Sequence, residues 1–220
     1  MEYPNPEDCL APTHFIDSDA ETIQACVHKL ELEGLSPNER AVKIFNYVRD
    51  DVTYEFSIRV TRDQFKASYT VVNGRGYCVR KALLLGALCR AVDIPAVVIL
   101  CDMRDGSLAP KIVEALGTDV MHYHGLCGIY LDGKWLKLDA SLSPALVEKK
   151  QYRIVKFDGH SDALQENTTL TGGAHMEYVA YHGAYVDLPY EQMMRGYKDG
   201  FNNSNKEMMA QLGLKSSFDT

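Results

Sequence analysis

Apolar positions recur at helical spacing through the first half of the chain and alternate with polar ones through much of the second. In SDAETIQACVHKLELEG, Ile23, Val27 and Leu30 share one helical face, Ser18 and Glu21 stand in capping-box spacing, and Gly34 supplies a stop. SPNERAVKIFNYVRDDV repeats this grammar: Ser36 as cap, Pro37 in the first turn, Glu39 three after the cap, and Val42, Ile44, Phe45 and Val48 as the buried stripe. Ala82, Leu85, Leu88, Cys89 and Val92 predict a third helix over residues 78–92. The β-branched run in IPAVVILCDM suits a buried strand, and APKIVEALG a short helix within a longer loop. In MHYHGLCGIYLDGKWLKLDASL, Asp132-Gly133 favours the turn whose twist matches paired strands, so a hairpin is predicted. YRIVKF and MEYVAYHGAYVDL read as further strands, PYEQMMRGYKDGF and SNKEMMAQLG as helices, and the last few residues as loose. No repeat, low-complexity tract or linker-like shift divides the chain. The pattern predicts one α+β domain over residues 1–220, with N-terminal helices packed on an antiparallel sheet.

Composition changes this picture little. The chain has 220 residues, 46% of them hydrophobic and 24% charged, which fits a globular protein with a sizeable core. A net charge of −7 argues against nucleic acid or an anionic membrane as partner. No apolar run approaches the ~18 residues of a membrane span. The acidic start MEYPNPEDCLAPTHF lacks the plan of a secretion signal, so a cytoplasmic location is expected. Six cysteines, at 9, 26, 78, 89, 101 and 127, form no C-x-x-C pair, and the default for each is a small buried apolar residue.

Cys78 has a stronger claim. It follows Gly74 and Gly76 and falls in the first turn of its predicted helix, where unpaired backbone N–H groups favour a thiolate and could hold the oxyanion formed when sulfur attacks a carbonyl. The glycines let the backbone turn tightly and a substrate approach closely. Cys89, Cys101 and Cys127 lie in apolar surroundings and read as inert.

A nucleophilic cysteine needs a base and a group that orients the base. With the turn at Asp132-Gly133, Leu131 faces Lys134, Leu126 faces Asp139 and His124 faces Ser141. His122, His124, Leu126 and Asp139 then project from one side of the hairpin. His124 becomes the diagonal neighbour of Asp139, roughly 7–8 Å away between Cα atoms, within reach of an imidazole–carboxylate hydrogen bond. His122 lies too far from Asp139 for the same contact.

These segments resemble the transglutaminase-like superfamily. GRGYCVRKALLLGALCRAVDIPA is similar to its nucleophile segment, HGLCGIYLDGKWLKLDAS to its histidine strand, hairpin and aspartate strand, and AVKIFNYVRDDVTYEF to the helix and aromatic segment before them. The resemblance runs from about residue 37 to 145, with residues 146–220 as a C-terminal strand and helix extension, and it implies a papain-like α+β core. It also implies a catalytic triad of Cys78 as nucleophile, His124 as base and Asp139 as orienting group, with no cofactor and no metal. Leu126 and Gly128 depart from the family, standing where aromatic and polar residues are frequent, and so could reshape the pocket. For the second oxyanion donor, Tyr54, Gln64 and Asn73 are the candidates. FDGHSDAL and YHGAYVDLP resemble segments of small bacterial members, and His160, His175 and His182 could line the site, although a structural or surface role is the simpler reading.

The resulting expectation is a thiol enzyme that forms a thioester acyl-enzyme from a peptide, protein or small-molecule amide or ester. Water as second substrate makes it a peptidase- or amidase-type hydrolase, the favoured outcome; an amine makes it an acyltransferase. Two other readings are a non-catalytic binding module on the same fold and a metal site built on His122-x-His124, which leaves Cys78 without a role.

Overall fold

The computed structural model describes residues 1–55, 61–200, 204, 205, 207 and 208. Along the chain run α1 (Glu21–Lys29), α2 (Pro37–Asp50), β1 (Thr53–Tyr54), α3 (Ala67–Asn73), β2 (Arg75–Gly76) and α4 (Cys78–Arg90). Then come β3 (Ala96–Asp105), α5 (Pro110–Leu116), β4 (Val120–Leu131), β5 (Lys134–Leu138), α6 (Pro144–Lys150), β6 (Met176–Tyr185) and α7 (Tyr190–Gly200). β5, β4, β3 and β6 lie side by side in that order, and every pairing among them is antiparallel. The α+β class expected from the pattern is therefore present, with the helical half preceding the sheet.

α4 is the axis of the fold. Every residue from Cys78 to Arg90 is buried, and Leu83, Leu84, Leu85 and Leu88 pack into the core between α2 and one face of the sheet. Full burial of each such leucine contributes about 1.5–3 kcal/mol, which commits the helix, and Cys78 at its start, to one place. One departure from bare hydrophobic patterning sharpens the placement. At Gly86 a Cβ would find ordinary contacts, 3.8 Å from Ala96 Cβ and Cys127 Sγ, whereas Gly125 is so close to Val79 that a Cβ would meet its Cα at 2.6 Å. The other face of the sheet carries a smaller cluster of Cys9, Val97, Ile99, Cys101 and Leu126.

The second helix forms as its signals predict: Ser36 Oγ accepts from Glu39 N at 3.4 Å, and Glu39 Oε2 accepts from Ser36 N at 2.8 Å. At α1 the expectation needs correction. The helix begins at Glu21 with Ala20 at the cap, and Ser18 caps nothing. Residues 17–20 form a turn, closed by Ala20 N to Asp17 O at 3.0 Å, and Asp17 is engaged by Ser68 N from α3. Docking to α3 outcompetes the local cap. YRIVKF is not a strand either: Tyr152, Val155 and Phe157 are buried, but the backbone finds side-chain partners instead of a ladder, as where Arg49 Nη1 donates to Val155 O at 2.7 Å. Most of SNKEMMAQLG lies outside the described residues, as does Phe201 beyond α7. No described helix is long and apolar enough to cross a membrane.

Candidate active site

The loop before α4 is shaped by its glycines. Gly74 has φ +62 and ends α3 in the left-handed conformation. Gly76 lies where a Cβ would meet Arg80 Cβ at 3.0 Å and Thr70 Cγ2 at 3.3 Å, so only glycine lets the chain pass here undisturbed. β1 pairs in parallel with β2, Tyr54 opposite Gly76, and Glu55 N donates to Gly76 O at 3.1 Å. Tyr77 is the N-cap and Cys78 opens the helix. Tyr54 and Cys78 are thereby brought side by side from segments 24 positions apart.

Gly125 does the same for the histidine. Because it lets β4 rest on the first turn of α4, its neighbour His124 is carried to the thiol. His124 Nε2 donates to Asp139 Oδ2 at 2.9 Å, and Cys78 lies near enough for its charge to act on the same imidazole. The hairpin ladder follows the predicted register from Leu131↔Lys134 to Cys127↔Leu138, then stops. Asp139 leaves it to donate its N–H to Ala163 O at 2.8 Å, yet its carboxylate stays under His124. Burial is nearly complete: 9% exposure for Cys78, 4% for His124 and 1% for Asp139.

Inside the protein these groups shift one another. Burial alone would lower the His124 pKa, but the charges of Cys78 and Asp139 outweigh it and raise it to about 10. Burial opposes ionisation of Asp139, and the His124 charge with hydrogen bonds from His124, Ser141 and Tyr178 reverses that, holding the carboxyl below the usual range. Two of these supports escape sequence reasoning: Ser141 N donates to Asp139 Oδ1 at 3.0 Å, and Tyr178 OH, from β6, donates to Oδ2 at 2.7 Å. Tyr178 was only an aromatic in an alternating strand, and its reach depends on β6 pairing with β3 across a long separation. Lys81, one turn beyond Cys78, is also fully buried; Nζ donates to Val52 O at 2.8 Å and Arg49 O at 3.3 Å, the carbonyls at the end of α2. Burial lowers its pKa to about 7 against the pull of Asp139 and Asp50.

His122 departs from expectation. Between the pairs Cys101↔His124 and Met103↔Met121, β4 takes three steps where β3 takes two, and Tyr123 has φ +55. This bulge breaks the alternation that put His122 and His124 on one face. His122 Nδ1 turns instead to Asp102 Oδ2 at 3.2 Å, and His182 Nε2 reaches Asp102 Oδ1 at 2.6 Å. His122 and His124 thus serve different carboxylates, and no group of three or more His, Cys, Asp or Glu side chains among the described residues could hold a metal ion. Leu126 sits in the smaller cluster, and a Cβ on Gly128 would strike Val97 Cγ2 at 2.7 Å, so both positions pack against β3.

The remaining candidates separate as clearly. Gln64 is occupied by Thr61 N at 2.7 Å and the Tyr69 hydroxyl at 2.9 Å, and Asn73 is exposed and donates to Tyr69 O. Only Tyr54 stands beside Cys78, whose charge, after burial, helps push the Tyr54 pKa well above 10. His160 is exposed beside Asp132 at the hairpin turn. His175 is buried against Tyr152, its Nδ1 donating to Glu166 O at 3.1 Å. Each of the other five cysteines is buried with its thiol pKa raised, chiefly by burial.

Comparisons with known proteins identify the family. No curated protein matches the chain. Among solved structures, a candidate cysteine protease from Cytophaga hutchinsonii aligns with TM-score 0.45 and 19% identity over 80% of this chain and 53% of that one. A candidate protease from Parabacteroides distasonis aligns with TM-score 0.37 and 14% identity over 69% and 30%. The chain thus spans about half the length of the first and less than a third of the second. The sequence profile described as the transglutaminase-like superfamily matches residues 24–140, a span that contains Cys78, His124 and Asp139, and the chain belongs to that superfamily.

Proposed function

We propose that this chain is a thiol enzyme that attacks an amide or ester carbonyl with Cys78. The observation that carries this reading is the placement of a buried imidazole, His124, against a carboxylate and near the thiol at a helix N-terminus. In the reaction, the thiol proton passes to His124, whose raised pKa holds it there as imidazolium, and the sulfur bonds to the carbonyl carbon. The oxyanion rests on backbone N–H groups of the first turn of α4 and on the Tyr54 hydroxyl, which its raised pKa keeps protonated. The carbonyl re-forms, the bond to the leaving amine or alcohol breaks, and His124 returns the proton to it. Asp139 holds the ring through Nε2 and stabilises the imidazolium. What remains is a thioester on Cys78.

Water as acceptor completes a peptidase- or amidase-type hydrolysis, and it requires no further binding group. One observation favours a second reading: the thiol and its partners are almost entirely buried, an enclosure that would let an amine compete with water. Incubation with a reactive acyl ester followed by mass spectrometry tests the common step. An acyl adduct on Cys78, absent from Cys78→Ala, is expected, and no adduct overturns the proposal. Millimolar primary amine then divides the outcomes: acid product marks the hydrolase, amide product the acyltransferase.

A further inference from the structure

Three tyrosines from three separate elements belong to or pack against the core cluster that holds Cys78: Tyr54 from β1, Tyr77 at the cap of α4, and Tyr197 from α7. We infer that Tyr197 sets the size of the acyl group that Cys78 can take, admitting short chains and excluding rings. The inference rests on the thioester reading above and adds the class of substrate.

Tyr54 and Tyr77 cannot yield easily. Tyr54 is pinned by the pairing of β1 with β2, and Tyr77 is covalently next to Cys78 with its ring edge-on to Phe65 at 6.1 Å. Tyr197 is different, because neither strand pairing nor a covalent link to Cys78 fixes it; its helix is held by packing and by side-chain bonds such as Arg62 Nη1 to Glu191 Oε1 at 2.8 Å and Gln192 Nε2 to Tyr185 OH at 3.0 Å. Its side chain is buried in the cluster that contains Cys78 and Tyr77, its hydroxyl hydrogen-bonds Tyr77, and it also donates to Tyr123 O at 3.4 Å. The charge of Cys78 reaches it. How deep this wall sits is decided by two glycines on the same helix. A Cβ on Gly196 would overlap the Tyr123 ring, and one on Gly200 would overlap the His122 ring. α7 therefore lies as close to β4 as a bare backbone permits, and that seat holds Tyr197 beside Tyr123 and Tyr77, the chain neighbours of His124 and Cys78. A group larger than a short chain on the acyl carbon would meet the ring, since Cys78 keeps only 9% of its surface exposed.

The experiment uses the full chain and p-nitrophenyl acetate, butyrate and benzoate, reading the nitrophenolate burst and the mass added to Cys78. The native protein should favour acetate over benzoate. Tyr197→Ala should raise the benzoate-to-acetate ratio roughly tenfold or more, the scale on which a pocket discriminates by fit. Gly196→Ala should raise the same ratio with the ring still present, because the helix must lift. Tyr197→Phe, which keeps the ring and loses the hydroxyl, should keep the native ratio. Should Tyr197→Ala melt at assay temperature, Tyr197→Leu carries the same expectation. An unchanged ratio in Gly196→Ala and in the folded Tyr197 truncation overturns the inference. If acetate fails to label Cys78 even in the native protein, the thioester reading falls instead.

Discussion

Two histidine–aspartate assemblies lie within a few residues of each other on the same sheet, and they differ in burial and in whether a thiol stands beside them. His124 and Asp139 are buried against a thiol at a helix N-terminus. His122 and His182 flank Asp102 from opposite sides, each on a neighbouring strand, and all three remain partly exposed. The residue types are the same. What differs is a pair of bulges: one extra residue on β4 beside His122, and one on β6 between the pairs Leu100↔Gly183 and Cys101↔Tyr181, at His182. Each bulge turns a histidine toward Asp102, while the regular stretch of β4 that holds Gly125 against Val79 delivers His124 to the sulfur. Local backbone irregularity, not side-chain chemistry, separates a candidate active site from a polar clip.

The largest contrast should appear on mutating the two histidines. General-base assistance is worth roughly 10²–10⁴-fold in rate, so His124→Ala should lose that much in acylation of Cys78, whereas His122→Ala should change it little. Burst kinetics with p-nitrophenyl acetate measure both. Equal losses would erase the distinction between the assemblies.

The carboxylates should differ in the same direction, by less. Asp139→Asn keeps the shape but cannot stabilise an imidazolium as a carboxylate does, so the rate should fall while the thermal melt persists. Asp102→Asn should leave the rate near native. Tyr178→Phe, which removes one hydrogen bond to the Asp139 carboxylate, should fall between them. A rate for Asp102→Asn as low as that for Asp139→Asn would make the clip part of the mechanism.

Much of this was legible in the chain, because its sources are local. The capping of α2 rests on Ser36, Pro37 and Glu39 within four consecutive positions, and the register that joins His124 to Asp139 rests on a two-residue turn whose φ values are +50 at Asp132 and +78 at Gly133. The thiol's place at the start of α4 follows from the glycine-rich loop and the apolar run after it. The misses are non-local. Alternation predicts one face for His122 and His124 and cannot see a bulge. Leu126 and Gly128 were read by position in a family pattern, while their actual contacts are with Val97 and Ile99 on the next strand. Tyr178, Lys81 and Tyr197 reach the site only once β6, α2 and α7 have docked, and no spacing within the chain announces that.

Thiol reactivity sharpens the comparison further. Burial raises the pKa of each of the other five cysteines, Cys89 to about 12, so their thiolates are scarce near neutral pH. Cys78 has an imidazole partner and a helix N-terminus. Iodoacetamide at pH 7 followed by peptide mapping should modify Cys78 first, with His124→Ala slowing the reaction and His122→Ala leaving it unchanged. First modification at Cys89 or Cys101 would remove the thiol from the buried assembly's account.

The smallest effect concerns stability against pH, and here the buried assembly holds two groups that oppose each other. His124 has a folded pKa of about 10 against about 6.5 in an unfolded chain. Its raised value contributes stability that is complete below about 6.5 and is lost as pH rises through about 10. Lys81 runs the other way. Its folded value of about 7 lies below the ordinary ~10.4, so its contribution is complete above about 10.4 and is lost as pH falls through about 7. Between pH 7 and 10 the native protein should therefore show a shallow profile in urea unfolding, because one contribution falls while the other grows. Lys81→Met removes the rising part and should leave stability declining with pH across that window. His124→Ala removes the falling part and should leave it climbing. Asp102 in the other assembly contributes nothing in this range, since burial, which would raise its pKa, is outweighed by its hydrogen bonds and the neighbouring histidine charges, and its contribution fades only as pH drops toward and through the carboxylate range. Lys81→Met and His124→Ala slopes of the same sign would mean that the two buried charges do not titrate as opposing partners around Asp139.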